Sequence, residues 1–205
     1  MKIVVAASGE QWNELNRSGA GIDWQRVDDA RDFDLHTGAT AFFSLMNNEI
    51  LPGFGTLKKP VFINSVVETL AELQAPENVL RINGWATFLS RPVWEVAGHV
   101  DDNVVSIFRS LNIKINSVKD EPGFISAKVV AMIINEAYFA VEDKVSSKDE
   151  IDTAMKLGTN YPYGPFEWAR KIGTRNIFAL LQKLNTTEKR YQPSDLLATE
   201  ARANK

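Results

Sequence analysis

Glu95 and Asn83 are the residues of this chain whose types and spacing pose a chemical question. They lie twelve positions apart in the stretch RINGWATFLSRPVWEV, residues 81–96. Each ends a short apolar run of strand character, with an irregular middle between the runs. A carboxylate in that position usually serves a partner, and the nearest candidate in register is an amide. Asn83 donates and accepts hydrogen bonds but takes no proton. The pair reads either as an active site with an amide where the base belongs, or as no active site. In the second reading Glu95 is a strand-end carboxylate paired with Arg81 or Arg91, and Asn83-Gly84 marks a turn. The two histidines stand elsewhere. His36 lies in a polar loop and His99 follows Gly98 at a strand end, and both read as solvated. Trp85, Phe88 and Trp94 read as core or interface packing.

Positioning these groups requires strands, and the first half supplies them. KIVVAA, DWQRV, TAFFSLM, PVFINS, NVLRIN, VWEVAG and IKINSV are short β-branched or apolar runs of strand length. Helix-like segments fall between some of them. GEQWNELNRS spaces Trp12 and Leu15 helically, and VVETLAELQ puts Val67, Leu70 and Leu73 on one face. DDNVVSIFRSLN is amphipathic with Asp101 or Asp102 as cap. Strands alternating with helices predict βαβ units and a mostly parallel sheet. After KDEPGF the strand signal stops. AKVVAMIINEAYFAVEDKV predicts a long helix, apolar on most faces and therefore buried. Asn135 and Glu136 within it need partners on neighbouring helix ends or across a dimer. Ser147 and Glu150 form a capping box for the next helix, which Gly158 ends. Pro165 opens GPFEWARKI and Gly173 closes it. RNIFALLQKL is a further helix, and the tail EARANK frays.

Composition bounds the partners. Net charge is −3, which opposes nonspecific binding to nucleic acid or to an anionic membrane. No cysteine is present, so disulfides, thiolate nucleophiles and zinc–sulfur sites are excluded. The apolar run VVAMII is far short of the roughly 20 residues a span needs. The run in MKIVVAASGEQW is too short for a signal peptide. The expectation is a soluble, cytoplasmic protein without nucleic-acid or membrane partners.

The second half resembles the C-terminal domain of the 3-hydroxyacyl-CoA dehydrogenases. The residues that carry this are DEPGFI at 120–125, INEAYFAVED at 134–143, DEIDTAMKLGTNYPYGPFEWA at 149–169, Arg190-Tyr191, and PSDLL at 193–197. The first half matches in part. Pro76, Glu77, Val79, Glu95 and Val96 align without a gap to the family segment that runs Arg-Pro-Glu-Arg, strand, His-Phe-Phe-Asn-Pro, strand, Glu-Val. In that register Glu95 takes the place of the family's catalytic glutamate and Asn83 that of its catalytic histidine. The family's Asn-Pro is Ala86-Thr87 here. The substrate-contacting asparagine of PGFIVNR is Ala127 in PGFISAK. A family serine corresponds to Ser65 in FINSV if one deletion is allowed. Tyr161 and Phe166 in YPYGPF are candidates to line an acyl pocket, as is Tyr163.

The resemblance implies an α/β plus α architecture. A shortened Rossmann-like domain over 1–121 precedes an all-helical domain over 122–205, of the 6-phosphogluconate-dehydrogenase C-terminal type, that dimerises and closes over an acyl-CoA. The cofactor turn departs from the family. It is AASGEQW, with Gly9 alone where G-x-G-x-x-G is expected, and Glu10 brings negative charge toward any pyrophosphate. The expectation is therefore no bound cofactor, although the family uses NAD. It is also lost redox chemistry, with service as an acyl-CoA-type binder or a dimeric scaffold of fatty-acyl-CoA metabolism. The alternative is an active NAD-dependent 3-hydroxyacyl-CoA (3-hydroxybutyryl-CoA) dehydrogenase with an unusual base.

Overall fold

The computed structural model describes residues 1–15, 19–46 and 50–203. They form two compact units, Met1–Phe124 and Ile125–Lys205.

The first unit is built on seven strands: β1 Lys2–Ala6, β2 Asp23–Val27, β3 Ala41–Ser44, β4 Val61–Asn64, β5 Val79–Ile82, β6 Val93–Ala97 and β7 Lys114–Val118. Their order in the sheet is 2-1-3-4-5-6-7, and every pair is parallel except β5 with β6. Ile3, Val4, Val5, Phe42, Phe43, Phe62 and Ile63 are all buried, because a central parallel strand is covered on both faces and needs apolar residues on both. One face packs Phe43, Phe62 and Ile82 against Val104, Ile107 and Phe108 of helix α2, Asp102–Ser110. Ring centroids there lie 4.7 Å apart for Phe43 and Phe62, and 5.1 Å for Phe62 and Phe108. The other face packs Val4, Phe42 and Ile63 against Phe33 and Phe54. Those two phenylalanines sit on short 3₁₀ turns, Ala30–Leu35 and Phe54–Thr56, which stand where a longer fold would carry crossover helices. Helix α1, Gly9–Glu14, has only six residues. The helical reading of GEQWNELNRS extends to residues 16–18, which lie outside the described ones.

The helix expected over VVETLAELQ is not there; residues 66–74 are bends and turns. Side chains take the backbone N–H groups that a helix would use. Asp120 accepts from the N–H groups of Leu70 and Ala71, and Glu72 accepts from that of Thr69. Gln74 then turns through φ 50°.

The second unit is helical throughout its described length: α3 Ser126–Glu142, α4 Lys148–Thr159, α5 Pro165–Ile172, α6 Thr174–Asn185 and α7 Asp195–Ala203. Residues 204–205 of the tail lie outside the described ones. No helix among the described residues is long and apolar enough to cross a membrane. Helix α3 is not buried all round as expected: Val129 is 53% exposed, and Ile125 just before the helix is 58% exposed. Its inner face holds Asn135, which donates to Gln192 O and accepts from Ser194 N, both at 2.9 Å. Glu136 is exposed. Helix α4 runs past Gly158 and ends where Asn160 adopts φ 56°, a left-handed cap that asparagine tolerates.

The capping box of α4 is formed. Ser147 Oγ accepts from Glu150 N, and Glu150 accepts from Ser147 N. Ser147→Ala is expected to cost about 0.5–2 kcal/mol, read by chemical denaturation. The Ser147 backbone N–H, then the hydroxyls of Ser147 and Ser146, hold the Glu150 carboxyl down to about 2. A depressed carboxyl stabilises above its ordinary value and loses that contribution as pH falls through the folded value. Ser147→Ala should therefore matter more at pH 7 than at pH 2.

Candidate functional site

The β5–β6 ladder pairs Arg81 with Ala97 and Ile82 with Val96. Asn83 follows Ile82 and Glu95 precedes Val96, so the two residues singled out in the sequence flank the same end of this ladder, just beyond its last pair. The β4–β5 ladder pairs Asn64 with Ile82, so Ser65 and Asn83 each directly follow the end of one of two neighbouring strands. Their side chains are already partnered. Asn83 is buried, and its Oδ1 accepts from Trp85 N at 3.3 Å. The Ser65 hydroxyl is fully buried and donates to Glu68 O at 2.9 Å.

Glu95 is half-buried on β6, and its field reaches Arg91. Burial pushes the Arg91 guanidinium down, while Glu95 and Glu14 hold it up. Arg91 also lies 3.9 Å over the Phe88 ring and donates to Thr87 O. Of the two arginines offered as partners for Glu95, Arg91 is the one it interacts with; Arg81 pairs with Asp120. Trp85, Phe88 and Trp94 are all buried and belong to the packing. His36 is half-buried and His99 exposed.

Sequence reasoning missed Asn64. Its Oδ1 accepts from Gly84 N at 3.0 Å and its Nδ2 donates to Leu45 O at 3.1 Å, joining the ends of β3, β4 and β5. The signal was Gly84: a Cβ there would lie 2.7 Å from Asn64 Cγ. Gly84→Ala should cost about 1–3 kcal/mol by overpacking, read as a lowered denaturation midpoint.

Ala127, in the substrate-asparagine position, is a fully buried methyl within α3 and carries no polar group. Phe166 is buried edge-on to Tyr138, with ring centroids at 5.0 Å. Tyr161 is half-buried, its ring 5.6 Å from that of Trp168. Both aromatics pack within the helical unit.

At the same carboxyl end of the parallel strands, strand order reverses between β1 and β3, where α/β sheets bind ligands. A crevice of about 290 Å³ lies there, lined by Ala6, Asp29, Ala30, Arg31, Ser44, Met46 and Leu51. Asp29 follows β2, twenty residues after Gly9, where a carboxylate suits a ribose hydroxyl. The Arg31 side chain, then the Arg31 N–H, hold its carboxyl at about 2, so it is ionised. A Cβ on Gly9 would meet nothing within 4 Å, so the turn is open above. Crevice, carboxylate and open turn fit the adenosine half of a dinucleotide, although a single glycine stands in the turn.

Residues 123–205 match the family described as 3-hydroxyacyl-CoA dehydrogenase, C-terminal domain. The chain is 46% identical over 86 residues to 3-hydroxyadipyl-CoA dehydrogenase of Escherichia coli (strain K12), which covers 41% of this chain and 18% of the relative. It is 38% identical over 105 residues to 3-hydroxybutyryl-CoA dehydrogenase of Clostridioides difficile, covering 50% and 37%. The matches thus span less than two fifths of these curated relatives. The crystal structure of (S)-3-hydroxybutyryl-CoA dehydrogenase from Ralstonia eutropha superposes with a TM-score of 0.73 over 98% of this chain and 93% of that one, at 17% identity, and shows the fold.

These findings overturn the expectation of no cofactor. The relatives are dehydrogenases, and dehydrogenation passes a hydride to an acceptor that the protein must hold. The missing glycines were the ground for that expectation, and they describe one turn of a larger site. Residues 123–205 match a 3-hydroxyacyl-CoA dehydrogenase C-terminal domain, and over the whole chain the likeness is one of fold.

Proposed function

We propose that this chain is a 3-hydroxyacyl-CoA dehydrogenase-like protein of fatty-acyl-CoA metabolism that binds an acyl-CoA-type ligand and turns it over slowly. What supports the reading is the end of the β5–β6 ladder, which Asn83, not a histidine, flanks together with Glu95. NAD, when bound, supplies the hydride acceptor. The crevice residue Asp29 and the open turn at Gly9 would hold its adenosine end. The chain's own task at the substrate is to take the hydroxyl proton. Asn83 can hydrogen-bond that hydroxyl and orient it, but its amide accepts no proton, and Glu95 is held in the field of Arg91. General base catalysis contributes about 10²–10⁴-fold, so its loss slows the reaction without removing binding.

The helical unit supports a dimer. Ile125 and Val129 are exposed, and Met132 and Ile133 are half-buried one turn on, an apolar stripe at helical spacing. Light scattering should return twice the chain mass.

The test combines binding with turnover. Acetoacetyl-CoA and NADH should each raise the melting temperature of the purified chain, while NADH oxidation runs about 10²–10⁴-fold below an active relative assayed alongside. Turnover equal to that relative would refute the loss of the base. Absence of any shift with either ligand would refute the binding reading.

A further inference from the structure

A pyrophosphate brings negative charge to the turn after β1, and this turn is poorly prepared for it by backbone alone. Ser8 N donates to Gln11 Oε1 at 3.0 Å, Gln11 N donates to Ser8 Oγ at 3.2 Å, and Trp12 N donates to Ser8 O at 3.0 Å. The Ser8 and Gln11 side chains and the Ser8 carbonyl therefore take donors that a Gly-rich loop would offer. Glu10 adds a negative charge in the first helical turn. Something else must supply the positive charge if a dinucleotide is to bind.

The adjacent strand supplies it. Arg26 stands on β2 in register with Val5 of β1. Its Nε donates to Ala7 O at 3.0 Å, which brings the guanidinium against the first residue of the turn. Among the described residues Arg26 makes no other hydrogen bond, which leaves both Nη groups for an incoming acceptor. The cation that lines the crevice itself, Arg31, is already engaged: its Nε donates to Asp29 Oδ2 at 2.9 Å, and an Nη pairs with the same oxygen. An arginine fork matches phosphate oxygens two at a time, and the bond to Ala7 fixes its orientation in advance.

We propose that Arg26 is the phosphate-binding residue of the nucleotide site, doing with a side chain at the β1–α1 turn what the absent glycines would do with backbone N–H groups. The proposal rests on the dinucleotide reading above and adds the residue that meets the phosphates.

Calorimetric titration of the full chain with ADP and with adenosine tests it. Wild-type protein should bind ADP at least about 10-fold more tightly than adenosine, the scale of charge-assisted hydrogen bonds. Arg26→Gln should lower ADP affinity about 10-fold or more and leave adenosine unchanged. Arg26→Lys should keep part of the preference. Arg26 is exposed, so both variants should fold, which their melting curves check. If Arg26→Gln weakens both ligands equally, or leaves ADP untouched, the assignment of Arg26 is wrong while the nucleotide site stands. If wild-type protein binds neither ADP nor adenosine, the dinucleotide reading fails and takes the proposal with it.

Discussion

Asn83→His raises the rate of NADH oxidation with acetoacetyl-CoA by about 10²–10⁴-fold over the wild-type chain, the range that a positioned proton donor or acceptor contributes. The substitution puts a group with a near-neutral pKa directly after Ile82, at the ladder end that Glu95 also flanks. Asn83 is buried and already hydrogen-bonded through Trp85 N, so the slot accepts a planar polar side chain. Steady-state absorbance of NADH reads the gain. The pH profile then distinguishes chemistry from packing. The variant should acquire a limb near neutral pH that the wild-type chain lacks, because only the imidazole titrates there. Glu95→Gln added to Asn83→His should remove most of the gain, since an amide cannot support the imidazolium. A variant that folds, binds both ligands and stays at the wild-type rate would show that more than the base is missing.

That prediction was within reach of the sequence because the residues that carry it are local or regularly spaced. Runs such as KIVVAA and PVFINS announce buried parallel strands, since only such strands need apolar residues on both faces. Ser147 with Glu150, and Pro165 with Gly173, mark helix ends by bonds that span three residues or by a backbone angle that glycine favours. The places of Asn83 and Glu95, just after β5 and within β6, follow from the short apolar runs they belong to. What stayed hidden depends on distant residues. The expected helix at VVETLAELQ fails because Asp120, fifty residues beyond Leu70, takes its N–H groups. Arg26 looks like any exposed strand residue until β2 is laid beside β1. The absent glycines were read as an absent cofactor, yet the crevice is lined by the ends of β1 and β3 and by residues that follow β2 and β3, and no local pattern encodes it.

Asp120→Ala should be among the most damaging single changes in the first unit, at about 3–5 kcal/mol, and more damaging than Arg81→Met. Arg81 is fully buried, and its donors are all engaged: Nε with Ser65 O at 2.8 Å, one Nη with Asp120 and Glu121 O, the other with Val66 O and Glu121 O. It also lies 4.8 Å from the centre of the Phe124 ring. Burial pushes its guanidinium down from the ordinary value, and the hydrogen bond to Asp120 offsets part of that, so the cation depends on this carboxylate. Removing Asp120 leaves a buried charge without its counter-ion and also frees the N–H groups of Leu70 and Ala71. Removing Arg81 instead leaves a carboxylate that is 28% exposed and still accepts from those two N–H groups, so water and backbone take up the loss. The ordering is therefore set by which partner is out of reach of solvent. Urea denaturation followed by tryptophan fluorescence reads this unit, since Trp12, Trp24, Trp85 and Trp94 lie in it and only Trp168 lies in the other. The double variant Arg81→Met/Asp120→Ala should be more stable than Asp120→Ala alone, because the stranded charge is gone. If Asp120→Ala unfolds within about 1 kcal/mol of wild type, the Arg81 cation is held by backbone carbonyls, and the segment from 120 to 124 is not fixed to β5 through this pair.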